Sequence, residues 1–161
     1  MINRRAALAI APVVIGSIAL PLSAPLAAQA NASGVVALAS AYGFDETISR
    51  IEADIAAKKI MFFGAIEQAK LAAAAGVPMS PSTLLVFGNP PLGAQFLTSN
   101  PQAGLDWPVR LLVTQDAQGG VWINYTDFAW IAKRHRIADR DAAFAKASEV
   151  IASIASSVTS K

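Results

Sequence analysis

The sequence predicts an α+β single domain, a largely antiparallel sheet with helices packed on one face in the order β-α-β-α-β-β-β-α-α. Three observations carry this. Apolar residues recur at helical spacing in two long stretches, residues 45–59 and 139–158. Shorter stretches between them are rich in β-branched and aromatic residues, as strands are. A loop with two glycines, residues 116–120, joins two of those stretches at hairpin distance, which makes them antiparallel neighbours.

Residues 34–42 are apolar between Gly34 and Gly43 and form the first expected strand. Asp45 opens a helix in which Ile48, Ile51 and Ile55 share one stripe, with acidic residues early and Lys58-Lys59 at the end, as the helix dipole favours. Residues 60–66 read as the second strand. An alanine-rich helix over 68–75 follows, stopped by Gly76 and kept stopped by Pro78 and Pro81. Residues 82–87 are the third strand, and Gly88-Asn89-Pro90-Pro91 reads as a rigid turn because proline fixes φ. Residues 92–97 have room for one or two helical turns before a loop over 98–104.

Residues 107–114 alternate so that Trp107, Val109, Leu111 and Val113 lie on one face and Arg110 and Thr114 on the other. The hairpin then leads into a strand over 121–125. Thr126 or Asp127 can cap the next helix, where Phe128, Ile131, Ala132 and His135 fall on one side. Asp139 or Asp141 begins the last helix, with Phe144, Ile151, Ile154 and Val158 on its stripe and an end expected to fray.

The chain begins with a secretory pattern. Arg4-Arg5 form a short basic region, residues 6–22 an apolar run, and Ala28-Gln29-Ala30 the small-x-small signal of a cleavage site. Residues 1–30 are therefore expected to be a signal peptide cleaved after Ala30, and residues 31–161 the mature domain, periplasmic or secreted. A membrane anchor competes, but Pro12 and Pro21 interrupt a run that is short for spanning a bilayer. Arg4-Arg5 keeps the twin-arginine route open beside general secretion. All 11 acidic residues but only 11 of the 13 basic ones lie beyond Ala30, so the mature chain is formally neutral. Neutrality argues against nucleic-acid binding, and cleavage would leave no integral membrane span. With no cysteine, the fold holds by packing alone and thiol chemistry is excluded.

FGNPPLG (residues 87–93), LDWPVRLLV (105–113), VWINYTD (121–127) and IAKRHR (131–136) lie within one region. With these segments the chain resembles the domain of unknown function 302 family, over about residues 45–135. The resemblance implies a compact α+β fold and brings no activity with it. Many members carry Asp-His where this chain has Glu67-Gln68, and Tyr-Asn-Asp-Pro where it has Tyr125-Thr126-Asp127-Phe128. A function resting on that histidine would be lost here.

Candidate catalytic residues are Glu67, Tyr125 and His135. His135, the sole histidine, suits a general base or a haem or metal ligand; the plainer reading packs its ring at a helix end. Glu67, expected on the face of Met61, Phe63 and Ala65, suits acid–base chemistry if buried and otherwise caps the following helix. Tyr125 can orient a ligand by its hydroxyl, or sit as an edge tyrosine with a wet tip. For ligand or cofactor binding the candidates are Asn89, otherwise a turn-former, and Arg110, otherwise an ion-pair partner of Asp106. One histidine and no cysteine exclude the usual zinc and iron–sulfur sets, so no metal site is expected and no cofactor is specified. G-x-S-x-G, P-loop and dinucleotide fingerprints are missing. The chain thus reads as an uncharacterised exported domain, a non-catalytic small-ligand-binding or accessory domain of the cell envelope that can also form a homodimer. The alternative is a small periplasmic enzyme using Glu67 as acid/base with Tyr125 and His135.

Overall fold

The computed structural model describes residues 30–161, so the signal-peptide expectation lies outside the described residues. Five strands, β1 (Val35–Ala39), β2 (Met61–Glu67), β3 (Ser82–Gly88), β4 (Val109–Gln115) and β5 (Val121–Thr126), form one sheet in the order β1-β5-β4-β3-β2. Every neighbouring pair is antiparallel. The helices are α1 (Phe44–Ala57), α2 (Gln68–Ala74), α3 (Pro90–Ser99), α4 (Phe128–Arg134) and α5 (Asp141–Ser156). The expected α+β single domain is the one observed.

The register explains which face is buried. Leu85 pairs with Leu111, and Leu111 with Tyr125; Val113 pairs with Ile123. Directly opposed residues share a face, and all of these are buried, with Leu85, Leu111, Val113 and Ile123 fully so. Ile51 and Ile55 of α1, Phe96 of α3, and Phe144, Ile151 and Ile154 of α5 close over them. The rings of Phe96 and Phe144 stack at 4.3 Å between centroids, tying α3 to α5.

Several local features differ from the expectation. Pro90 and Pro91 start a helix instead of holding a turn, because Asn89 Oδ1 accepts from the Leu92 N–H at 3.1 Å and proline tolerates the first helical positions. That helix runs to Ser99 and a 3₁₀ turn, Pro101–Leu105, replaces the expected loop. The last helix starts at Asp141 with no side-chain cap, while Asp139 accepts from Ser99 Oγ at 2.5 Å. Its end does not fray: Val158 is fully buried, and its carbonyl accepts from the Ala41 N–H at 2.8 Å.

A register shift between Phe62 and Gly64 has the widest effect. The extra residue breaks the alternation of β2, so Phe62, Ala65 and Glu67 oppose Phe87, Leu85 and Thr83 of the covered face, while Met61 does not share it. Gly64, at φ 151°, permits the bulge. Glu67 therefore sits on the helix side of the sheet but beyond the helices, on the outermost strand. No helix among the described residues is long and apolar enough to cross a membrane.

Candidate functional site

The strand–helix arrangement creates one apolar cavity of about 550 Å³. Phe87 and Val109 form its sheet wall, Leu92 of α3 and Phe128 of α4 its end, and Val150 and Ile151 of α5 its roof. Polar groups stand at a few points: Asn89, Lys58 at the end of α1, and Ser153, Lys146 and Glu149 of α5, the last two paired at 3.1 Å. Such a volume and such a lining are those of a small-molecule site, with apolar walls and a few polar groups to set orientation. Asn89, the first binding candidate, thus borders the cavity with its side chain committed to capping α3.

A second, polar centre forms around Asp106, whose side chain is 3% exposed. Arg110 reaches its Oδ1 at 3.0 Å and also donates to the Leu105 carbonyl at 2.7 Å. Arg134 lies 3.0 Å from Oδ2. His135 Nε2 lies 2.6 Å from the same oxygen, buried with it. A carboxylate only accepts, so Nε2 carries the proton in this bond. The histidine carbonyl in turn accepts from Asn100 Nδ2 at 2.8 Å. Beside this centre lies a polar hollow of about 510 Å³ bordered by Asn100, Gln102, Arg134, His135 and Arg136. Among the described residues no group of three or more His, Cys, Asp or Glu side chains is placed to hold a metal.

The structure therefore brings together two of the five candidates, Arg110 and His135, through Asp106. It does not assemble Glu67, Tyr125 and His135. Glu67 is half exposed on β2, ion-paired with Lys70, and its side chain makes no cap hydrogen bond to α2. Three strand spacings, roughly 14 Å, separate β2 from the strand of Tyr125. Tyr125 is not an edge residue: β5 lies between β1 and β4, and the side chain is buried between Val36 and Leu111. Burial pushes its phenol pKa up from the ordinary value, and the nearby Asp127 charge adds to the rise. Asp106 was legible only as a partner of Arg110, four residues on. Its bonds to Arg134 and His135 depend on the docking of α4 against the approach to β4, which no local spacing encodes.

A family model, "Domain of unknown function DUF302", matches residues 36–155. The uncharacterized conserved protein DUF302 from Bacillus stearothermophilus, known from a crystal structure, superposes with a TM-score of 0.71 at 19% identity, covering 79% of this chain and 99% of that one. That likeness shows the fold. The chain is also similar to "Fluoride-specific ion channel FluC 1" of Brucella suis biovar 1 (strain 1330), 34% identical over 105 residues, which is 65% of this chain and 41% of that protein. "Fluoride-specific ion channel FluC 2" of Brucella melitensis biotype 1 (strain ATCC 23456 / CCUG 17765 / NCTC 10094 / 16M) matches at 34% over 105 residues, 65% of this chain and 39% of that protein. The chain thus spans about two fifths of the curated relatives it matches.

Proposed function

We propose that this chain, which belongs to the domain of unknown function DUF302 family, is a non-catalytic accessory domain of the cell envelope that binds a small, mostly apolar molecule with one polar end. The observation that carries this reading is the cavity of about 550 Å³ under α5. Apolar walls would bury the body of the ligand, and Lys58, Lys146 or Asn89 at its margin would receive the polar end. The relatives named as fluoride-specific ion channels support the accessory half of the proposal, since most of their length lies outside the shared segment. Their conduction is not carried over. The envelope location rests on the secretory pattern of residues 1–30, and the N-terminal sequence of the exported protein should then begin at Asn31.

Native mass spectrometry of protein purified from its own host tests the binding reading. An added mass of a small molecule is expected on the wild-type chain. Ala147, buried and lining the cavity, has no side chain beyond Cβ, so Ala147→Phe should fill the space and abolish that mass while circular dichroism stays unchanged. Wild-type protein that carries no molecule, and whose melting temperature no small apolar carboxylic acid raises, would sink the proposal.

A second reading has one observation in its favour, the buried Asp106–His135 pair beside a polar hollow. A carboxylate that orients an imidazole is how a general base is held. In this enzyme His135 would take the acid–base role that the sequence assigned to Glu67, with Asp106 orienting it. Its test is whether His135→Gln abolishes turnover of any substrate found for the protein.

A further inference from the structure

We infer that the polar hollow at the end of α4 binds a small dianion, a phosphate or a dicarboxylate, on the guanidinium groups of Arg134 and Arg136. The hollow measures about 510 Å³, and no apolar side chain borders it. Residues 133–140 carry Lys133, Arg134, Arg136 and Arg140 against Asp139 alone, while the charges of residues 31–161 balance to zero. Arg140 and Ser99 take up Asp139, at 2.6 and 2.5 Å. Arg110 and Arg134 share Asp106, and Arg136 has no ion-pair partner among the described residues. Around Asp106 and the hollow, three guanidinium groups against one carboxylate thus leave two positive charges over.

Arg134 is set in advance for an oxyanion. Its Nη1 donates to the buried Asp106, 3.1 Å from Oδ1 and 3.0 Å from Oδ2, and its guanidinium lies 5.5 Å from the centre of the Trp130 ring. The Nε and Nη2 edge makes no hydrogen bond among the described residues, and two parallel N–H groups of this kind match two oxygens of a carboxylate or phosphate. Arg136 supplies the second charge from a left-handed position, φ 52°, where glycine is usual and for which the turn needs no charge. The negative end of α4 offers little opposition. The carbonyls of Ile131, Ala132, Lys133 and His135 already accept from the N–H groups of His135, Ile137 and Arg136 and from Asn100 Nδ2. Asn100 Oδ1 is likewise taken by the Gln102 N–H, whereas the Gln102 side-chain amide has no partner among the described residues and is free to donate. The hollow shares no lining residue with the apolar cavity, so the inference stands apart from the reading placed there. It shares the hollow with the enzyme reading but requires no turnover.

Isothermal titration calorimetry of the purified protein near neutral pH and at low ionic strength, with inorganic phosphate and separately with succinate, should show saturable binding of at least one of them. The tighter of the two identifies the class of dianion. Arg136→Gln removes a side chain that holds nothing else and should weaken that binding roughly tenfold, the worth of one hydrogen bond to a charged group. Arg134→Lys keeps a charge beside Asp106 but loses the two-pronged edge, and should weaken it by a similar factor. Lys133→Gln removes an exposed cation that does not border the hollow, and should leave the affinity unchanged. No saturable binding of either anion would overturn the inference. So would equal losses from Lys133→Gln and Arg136→Gln, because the effect would then be one of diffuse surface charge.

Discussion

Asp106 and His135, 29 residues apart in the chain, are joined by a 2.6 Å hydrogen bond inside the protein. The bond links the approach to β4 with the end of α4. Arg110 and Arg134 complete the ring around the same carboxylate, with side chains 47% and 45% exposed. Water screens these two, so the buried histidine contact carries most of the consequence of losing the acid.

Asp106→Ala should therefore destabilise the protein by about 3 kcal/mol, the low end for removing one partner of a buried charged pair. His135→Gln keeps a donor and most of the volume and should cost about 1 kcal/mol, near the net worth of one hydrogen bond. Denaturant midpoints at unchanged m-values provide the comparison. Equal losses for the two variants would mean that Asp106 acts through His135 alone. If the chain binds its ligand in the apolar cavity, neither substitution should change the mass retained in native mass spectrometry.

Gly93 is required by a close approach and not by backbone freedom. A Cβ built there would lie 2.0 Å from Trp107 Cε2 and 2.2 Å from its Nε1, whereas at Gly104 the nearest atom is Leu97 Cδ2 at 3.8 Å. Gly93→Ala should cost about 1–3 kcal/mol, as overpacking does, and should perturb the Trp107 fluorescence. Gly104→Ala should do neither. A fully stable Gly93→Ala protein would show that α3 can move off the indole freely.

Tyr125 supplies a pH dependence. Burial, and then Asp127, raise its phenol pKa in the folded chain above the ordinary value of 10.0. The folded state thus holds that proton more tightly than the unfolded state does. The resulting stability is fully present below pH 10 and is lost as pH rises through the folded value. Tyr125→Phe has no proton to lose, so its unfolding free energy should fall less steeply in that alkaline window. Parallel alkaline slopes for the two proteins would count against the raised pKa.

Much of the fold was legible because its causes are local. The spacing of Ile51 and Ile55, the alternation through Leu111 and Val113, and the cap from Asp127 to the Trp130 N–H at 2.8 Å each depend on residues only a few positions apart. Such signals act before any tertiary contact forms. The sequence by itself thus determined the strands, most helix starts, the hairpin and the α+β class. Tertiary structure decided the site. The bulge at Phe62–Gly64 took Met61 off the face that Ala65 and Glu67 share, and the sheet order put Glu67 on the outer strand, away from Tyr125 and His135. The docking of α4 brought His135 to Asp106, and the packing of the last turn sealed Val158 under the Ala41 N–H. The reason is physical: strand order and helix docking are settled by the burial of apolar area between segments far apart in the chain, and a polar side chain takes whichever partner that burial leaves within reach.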